Sequence, residues 1–331
     1  MSIQTRVLGV PVRDIGAVVL SVTLLGVGLA GAGQAQPVTA AVGPSPYVIV
    51  LGIAQDGGYP QAGCRKECCK RAWADASRHR GVASLAIVDP GSHQRWLIDA
   101  TPDFRTQLRA LDEIAPVNSS PGLDGILLTH GHIGHYTGLM QLGREVMGAK
   151  GVPVYAMPRM RKFLETSGPW DQLGKLENIV LHPLEPGKPV QLNGQLSVTP
   201  LPVPHRDEYT ETVGFVIRGP AHSVLYLPDI DKWDKWSTPF AEALSSVDVA
   251  YLDGTFYDDG EIPGRNMAEI PHPFMVETLA LLASLPPEQR RKVRFIHLNH
   301  TNPALDAASD ASHRITLAGS SVAAQGERFG L

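Results

Sequence analysis

Cysteine and an excess of basic charge are both scarce in this sequence. Only 3 of the 331 residues are cysteine, which is too few for a disulfide-stabilised scaffold. The 29 Lys and Arg residues face 33 Asp and Glu residues, which argues against a nucleic-acid-binding protein that relies on a basic surface. No internal repeat occurs at a fixed spacing. With 43% hydrophobic and 19% charged residues, the chain is expected to fold around a substantial core.

The N-terminal segment has the pattern of a secretory signal peptide. A basic start precedes an apolar stretch at residues 15–30, and the small residues Gly33 and Ala35 precede a cleavage position. We therefore expect removal of residues 1–35, a linker at residues 36–46, and a periplasmic or secreted protein. The alternative is a membrane anchor, although the apolar stretch is shorter than the roughly 20 residues of a typical span. No second apolar stretch approaches that length, so no membrane association is expected after cleavage.

From residue 47 onward, apolar segments of strand character alternate with segments of helical spacing. Strands are predicted at residues 47–53, 83–88, 95–98, 125–128, 154–156, 178–181, 196–201, 213–217, 223–227, 247–252 and 293–298. Helices are predicted at residues 104–111, 137–147, 160–166, 238–244 and 273–285. This order suggests two packed β-sheets covered by helices.

The strongest chemical signal is a group of histidines at the end of an apolar strand. Residues 125–128 lead directly into His130, His132 and His135. Residues two apart in an extended segment project to the same side, so His130 and His132 can hold one metal ion, with His135 reaching the same ion or a neighbour. The alternative is a solvated polar turn.

Further metal-ligand types follow other apolar strands. His205, Asp229 and His297 each lie at or near the end of such a strand. Loops at the ends of strands converge on one edge of a sheet, where metal sites are commonly built. The repetition favours one site assembled from distant segments.

The chain resembles the metallo-β-lactamase superfamily, whose His-x-His-x-Asp-His motif is matched here by His-Gly-His-Ile-Gly-His at residues 130–135. The likeness extends over residues 47–303. It is greatest to the group that contains pyrroloquinoline quinone biosynthesis protein B and the phosphodiesterase of the carbon-phosphorus lyase pathway. The segments that carry this closer likeness are residues 51–61, 97–105, 252–256 and 297–303.

The resemblance implies an α/β (α+β) fold, an αββα sandwich of two mixed β-sheets flanked by helices, with residues 304–331 as a C-terminal covering segment. It also implies a metal site at one edge of the sheets. By position, His130, His132 and His205 would bind a first metal. His135 and His297 would bind a second, Asp229 would lie between the two, and Asp99 would support the site from beneath.

One position departs from the family pattern. The Asp that normally binds the second metal is Gly134, which has no side chain to coordinate with. Either the second metal is weak or absent, or Asp207, Glu208, His272 or water takes the place of the missing ligand. We expect one tightly bound zinc and at most one loosely bound second ion. An inactive relative is the alternative.

The three cysteines form a second constellation. The relatives have a cysteine cluster in this region that can bind a structural zinc, which by resemblance would be held by Cys64, Cys68, Cys69 and His300. An oxidising compartment favours the competing interpretation, in which Cys64 pairs with Cys68 or Cys69 as a disulfide.

The resemblance favours an exported metal-dependent hydrolase of an ester, lactone or phosphodiester that acts through a metal-bound hydroxide on a small-molecule substrate. In such a hydrolase, Asp229 would orient the nucleophile, and His272 or His300 would stabilise developing negative charge. A redox or oxygenase role like that of the quinone biosynthesis relative, with iron in the histidine site, is one alternative. A non-catalytic metal- or ligand-binding protein is the other.

Overall fold

The computed structural model describes residues 44–331 of the chain. The predicted signal peptide, residues 1–35, lies outside the described residues, as does most of the predicted linker at residues 36–46. In the described part, no helix is both long and apolar enough to cross a lipid bilayer.

Two seven-stranded mixed sheets form the centre of the fold, and their strands are numbered here in chain order. The first sheet contains β1 (Tyr47–Gly52), β2 (Ser84–Asp89), β3 (Gln94–Ile98), β4 (Gly125–Leu127), β5 (Val152–Ala156), β6 (Ile179–Pro183) and β14 (Arg328–Gly330). The second contains β7 (Val190–Gln191), β8 (Ser197–Pro202), β9 (Val213–Arg218), β10 (Ser223–Leu227), β11 (Val249–Asp253), β12 (Val293–Ile296) and β13 (Ser321–Val322). Their spatial orders are β14-β1-β2-β3-β4-β5-β6 and β13-β12-β11-β10-β9-β8-β7.

Helices cover the outer faces of both sheets. The α-helices are α1 (Glu67–Ala74), α2 (Phe104–Ile114), α3 (Ile133–Tyr136), α4 (Pro158–Thr166), α5 (Asp171–Lys175), α6 (Phe240–Ser245), α7 (Met275–Ala283), α8 (Pro287–Arg290) and α9 (Asp310–Leu317). Apolar side chains of α2, α4 and α5 pack on the first sheet, and those of α6, α7 and α9 pack on the second. The predicted αββα sandwich is therefore confirmed.

Strand residues are buried on both faces, which is why the sequence reads as continuous apolar runs. In β1, Val48 and Val50 point between the two sheets, whereas Ile49 and Leu51 point to the helix-covered side. Every residue of β2 and β10 is buried. Burial of this apolar surface is the main favourable contribution to folding.

Strand direction explains why distant segments meet at one place. In the first sheet, β3 is parallel to β4, and β1 runs in the same direction because both β1 and β3 pair antiparallel with β2. In the second sheet, β10, β11 and β12 are parallel, and β8 runs with them because β8 and β10 both pair antiparallel with β9. The carboxyl ends of all these strands carry the candidate site residues.

Two regions differ from the sequence-based expectations. The helix predicted at residues 137–147 is a short 3-10 helix, Thr137–Leu142, that ends at Gly143 and is followed by turns. Glycine at positions 138 and 143 weakens helix formation in this stretch. Residues 304–331, predicted as a covering segment, contain α9 and also supply the edge strands β13 and β14, so this segment completes both sheets.

Candidate metal centre

Three histidines from two segments form the first cluster of possible metal ligands. His130 and His132 follow β4, and His205 follows β8, as the sequence predicted. The Nε2 atom of His130 lies 2.8 Å from the Nδ1 atom of His132, and a ring nitrogen of His205 lies within 4.8 Å of both. Neither ring nitrogen of His205 has a hydrogen-bond partner among the described residues. Three imidazole nitrogens therefore converge on one point.

The charge state of these rings suits metal binding. Burial and the neighbouring histidines lower the pKa of His130 well below its usual value, and burial and His272 lower the pKa of His205. Both rings are neutral at pH 7, and neutral imidazole is the form that binds a metal.

A second cluster lies beside the first. His135 belongs to α3, and His297 directly follows β12. The Nε2 atoms of these rings lie 3.2 and 3.4 Å from Asp229 Oδ2, and 3.3 and 3.6 Å from Asp56 Oδ1. None of these four buried atoms has a hydrogen-bond partner among the described residues. Unpaired buried polar atoms are costly, so their convergence indicates a place for a cation.

Asp229 lies between the two clusters, as predicted. It follows β10 and is 3% exposed. Its Oδ2 atom faces His135 and His297, while its Oδ1 atom lies 3.7 Å from His205 Nε2. One carboxylate thus faces both groups of histidines.

A buried acid beneath each half of the site orients the histidines. Asp99, predicted to support the site, accepts hydrogen bonds from the Thr129 amide and hydroxyl and from His135 Nδ1, the last at 2.7 Å. Since the Thr129 hydroxyl donates to Asp99, it accepts from His130 Nδ1 at 3.1 Å. Both rings consequently present Nε2 to the site.

Asp253 performs the same role in the second sheet, and the sequence-based reasoning missed it. The Thr255 hydroxyl donates to Asp253 at 2.7 Å and accepts from His297 Nδ1 at 3.0 Å, which leaves His297 Nε2 facing the site. The available signal was the segment Leu-Asp-Gly-Thr-Phe at residues 252–256, which carried the family likeness without being given a role.

His272, predicted to be catalytic, lies at the edge of the site. Its Nδ1 atom donates to Asp253 at 2.7 Å, and its ring centroid lies 5.0 Å from that of His205. Burial disfavours a charge on this ring, but Asp253 outweighs burial and raises the pKa of His272. A protonated ring at this position can donate a hydrogen bond to a group bound in the site.

Neither of the two acids predicted as replacements for the family Asp, Asp207 and Glu208, lies in the second cluster. Glu208 Oε2 lies 3.2 Å from the outer nitrogen of His132, and Asp207 accepts a hydrogen bond from Thr212. The acid that meets His135 and His297 is Asp56, in the turn after β1, which the sequence-based reasoning missed. The available signal was Asp56 within the segment at residues 51–61, which carried the family likeness without a role for this acid.

The cysteine cluster predicted from the sequence comes together in space. Ligand atoms of Cys64, Cys68, Cys69 and His300 all lie within 4.8 Å of one another. The Sγ atoms of Cys64 and Cys68 are 3.8 Å apart, and all three cysteines are free. A disulfide requires about 2.05 Å between sulfurs, whereas tetrahedral zinc with bonds of about 2.3 Å places sulfurs about 3.8 Å apart. The geometry fits the zinc interpretation, and it places His300 with the cysteines rather than in the histidine site.

The thiols need a cation to become ligands together. Burial raises the pKa of Cys69 to about 12. The hydroxyl of Tyr59 donates to the Cys68 carbonyl and the indole of Trp73 donates to the Cys64 carbonyl, each at 2.8 Å, so the loop is held in place by other contacts. Zinc deprotonates the thiols that coordinate it, and its positive charge offsets the repulsion between three adjacent thiolates.

The sequence is similar to known proteins over most of its length. Residues 94–298 match the family model described as the β-lactamase superfamily domain. The chain is 32% identical over 312 residues to coenzyme PQQ synthesis protein B of Xanthomonas campestris pv. campestris (strain B100), which covers 86% of this chain and 99% of that protein.

Solved structures show the same fold. Zn²⁺-bound PqqB from Methylobacterium extorquens is 25% identical with a TM-score of 0.72, covering 86% of this chain and 100% of that one. A diphosphatase from the PhnP family is 23% identical with a TM-score of 0.61, covering 87% of this chain and 98% of that one.

Proposed function

This chain belongs to the metallo-β-lactamase superfamily, and from that membership we propose that it is a metal-dependent hydrolase of an ester, lactone or phosphodiester. The observation that carries the proposal is the convergence of three imidazole nitrogens on one point, beside a second point where buried ring nitrogens and carboxylate oxygens have no hydrogen-bond partner among the described residues. The proposed substrate is a small molecule.

The residues present fit zinc. His130, His132 and His205 offer three neutral imidazole nitrogens, which is the protein ligand set of a catalytic zinc with an open position. Four ligands at about 2.0–2.1 Å from a tetrahedral zinc lie about 3.3–3.4 Å from one another. The measured separations of 3.2 to 3.6 Å around His135 and His297 agree with that spacing.

Each residue has a proposed role in hydrolysis. A bound Zn²⁺ ion supplies a water of lowered pKa, about 7, and polarises the group that is attacked. Asp229 faces both clusters and orients the attacking water. His272 is held by Asp253 with its other nitrogen free, so it donates a hydrogen bond to the oxygen on which negative charge develops.

Substitution of His132 by alanine tests the proposed activity. We expect the zinc-loaded wild-type chain to hydrolyse at least one of three probes, an aryl phosphodiester, an aryl carboxylic ester or a lactone. We expect the variant to lose one ion and its kcat/KM to decrease about 100-fold or more. The reason is that the metal ion with a free coordination position would lose one of its three histidine ligands. Steady-state rates and elemental analysis of the same samples measure both effects.

The exposed His313 on α9 provides the matched control, since its replacement by alanine removes a histidine that belongs to none of the clusters named here. Turnover that is unaffected by the loss of His132 would show that the hydrolysis occurs elsewhere. Absence of turnover with all three probes would favour the non-catalytic binding protein.

A second candidate function is favoured by the relatives. The 32% identity to a protein named coenzyme PQQ synthesis protein B supports a role in the synthesis of that coenzyme. The redox or oxygenase chemistry with iron in the histidine site is the form of this candidate that the sequence analysis predicted. Zinc in the purified chain fits both candidates, since the PqqB structure named above is bound to Zn²⁺. Loss of PQQ in a deletion strain favours the second candidate, whereas unchanged PQQ together with hydrolysis of one of the three probes favours the hydrolase.

We also propose that the protein is exported, from the signal-like pattern of residues 1–35. The expected mature chain begins near Gln36. N-terminal sequencing of the protein recovered from a periplasmic or culture fraction checks this. Recovery of the full-length chain in the cytoplasmic fraction would contradict export.

A further inference from the structure

The glycine that departs from the family motif lies directly against another acid. A Cβ atom built on Gly134 would lie 2.0 Å from Asp56 Oδ1 and 2.8 Å from Asp56 Cγ. The backbone of Gly134 has no positive φ, so its conformation does not call for glycine. The missing side chain at this position is therefore explained by the carboxylate of Asp56, which fills the space.

The Oδ1 atom of Asp56 is buried and directed at the two histidines of the second cluster, although the side chain as a whole is 22% exposed. Its Oδ1 atom has no hydrogen-bond partner among the described residues, although it lies 3.3 Å from His135 Nε2 and 3.6 Å from His297 Nε2. Asp229 Oδ2 lies at similar distances from the same nitrogens. Two carboxylate oxygens and two imidazole nitrogens are the number and types of donor that a four-coordinate zinc ion takes.

The turn that carries Asp56 is anchored to the segment that carries His297. The Gln55 amide donates to the Leu298 carbonyl at 2.9 Å, and the Leu298 amide donates to the Ile53 carbonyl at 2.8 Å. Gly58, with a φ of 68°, closes the turn through its amide, which donates to the Gln55 carbonyl at 2.7 Å. These contacts hold the Asp56 carboxylate in place before any ion binds, which lowers the cost of binding.

We propose that Asp56 is the carboxylate ligand of the second metal, so that the ligand lost at Gly134 has moved to the turn after β1. The inference rests on the proposed metal centre. It replaces the expectation of a loose second ion by a site with a full set of four protein ligands. With Asp56 as the ligand, the absence of a side chain at Gly134 no longer implies that the chain is an inactive relative.

Substitutions at the two positions test the exchange. We expect Asp56→Asn, which keeps the shape of the side chain, to lose one ion per chain on dialysis. The affinity for Zn²⁺ at that site should fall by more than the roughly 10–100-fold that follows loss of an outer-shell partner. Gly134→Asp alone places a side chain against Asp56 and should lower the unfolding midpoint. The double variant Asp56→Gly with Gly134→Asp should regain both the ion and the midpoint.

The measurements are elemental analysis, Zn²⁺ titration and thermal unfolding of the full chain. Asp207→Asn is the matched control, because this acid lies near the site but bonds to Thr212, and we expect it to keep every ion. The ion at the cysteine cluster should stay in all variants and serves as an internal reference.

Two outcomes would overturn the inference, and they can be told apart. If Asp56→Asn keeps all ions with unchanged affinity while His132→Ala loses one, Asp56 is not a ligand and the proposed metal centre stands. If neither His132→Ala nor Asp56→Asn changes the metal content, the histidine clusters hold no ion, and the proposed function fails as well.

Discussion

Replacing Asp229 by alanine is expected to reduce hydrolysis by about 10³- to 10⁴-fold, or ~4–5.5 kcal/mol of transition-state stabilisation. The reason is its position, because one carboxylate faces His205 on one side and His135 and His297 on the other. Its loss removes a ligand from both clusters and leaves the attacking water without an acceptor. Rates with the best probe, together with metal content, measure the effect.

Asp231 offers a matched control two residues along the chain. Its carboxylate pairs with Lys235 at 2.8 Å and with the Lys232 amide, and it faces neither cluster. We expect Asp231→Ala to keep kcat/KM within a few-fold of the wild type. A comparable loss in both variants would show that the loop after β10 matters through its conformation and not through the Asp229 carboxylate.

Arg95→Met is expected to lower the free energy of unfolding by ~3–5 kcal/mol. Arg95 is 1% exposed, and its guanidinium donates to Asp112 and to the carbonyl oxygens of Ala115, Pro121 and Gly122. Methionine has a similar length but no donors, so the three carbonyl oxygens lose their partner beside a buried side chain, whereas the Asp112 carboxylate, whose side chain is 43% exposed, stays in contact with water. Equilibrium unfolding in urea measures the change.

The control for this prediction is Arg109→Met. The Arg109 side chain is 74% exposed and pairs with Glu113 four residues later in α2, an arrangement that contributes little. We expect a change below about 0.5 kcal/mol. An equally small change for Arg95→Met would mean that water replaces the guanidinium, and that the network around it does not stabilise the fold.

The local parts of the fold and site were accessible from the sequence because they depend on neighbouring residues. Each strand predicted from an apolar run overlaps an observed strand, while β7, β13 and β14, with two or three residues each, carry too short a pattern to be recognised. His130 and His132 are two residues apart in an extended segment, so the sequence already predicted that their side chains project to the same side. Cys64, Cys68 and Cys69 lie in the region where the relatives have a cysteine cluster, which predicted that they lie close together. In the structure their sulfur atoms do so.

The replacement for the ligand lost at Gly134 was not accessible in this way. Asp207 and Glu208 were the predicted candidates because they lie beside His205 in the sequence. Asp56 lies far from every histidine along the chain and becomes a neighbour only because β1 and β4 run in the same direction. The same holds for Asp253, whose role depends on the adjacent strand that ends in His297.

By itself, the sequence predicted the layered α/β class, the strands and the histidines that come together in the candidate site, because apolar periodicity and close spacing act over a few residues. Only the tertiary structure decided which carboxylate completes the second cluster, which acids orient the rings, and whether the cysteines lie at disulfide or zinc distance. Those questions depend on contacts between segments that are distant in the chain, and such contacts exist only once parallel strands have brought their carboxyl ends to one edge of the sandwich.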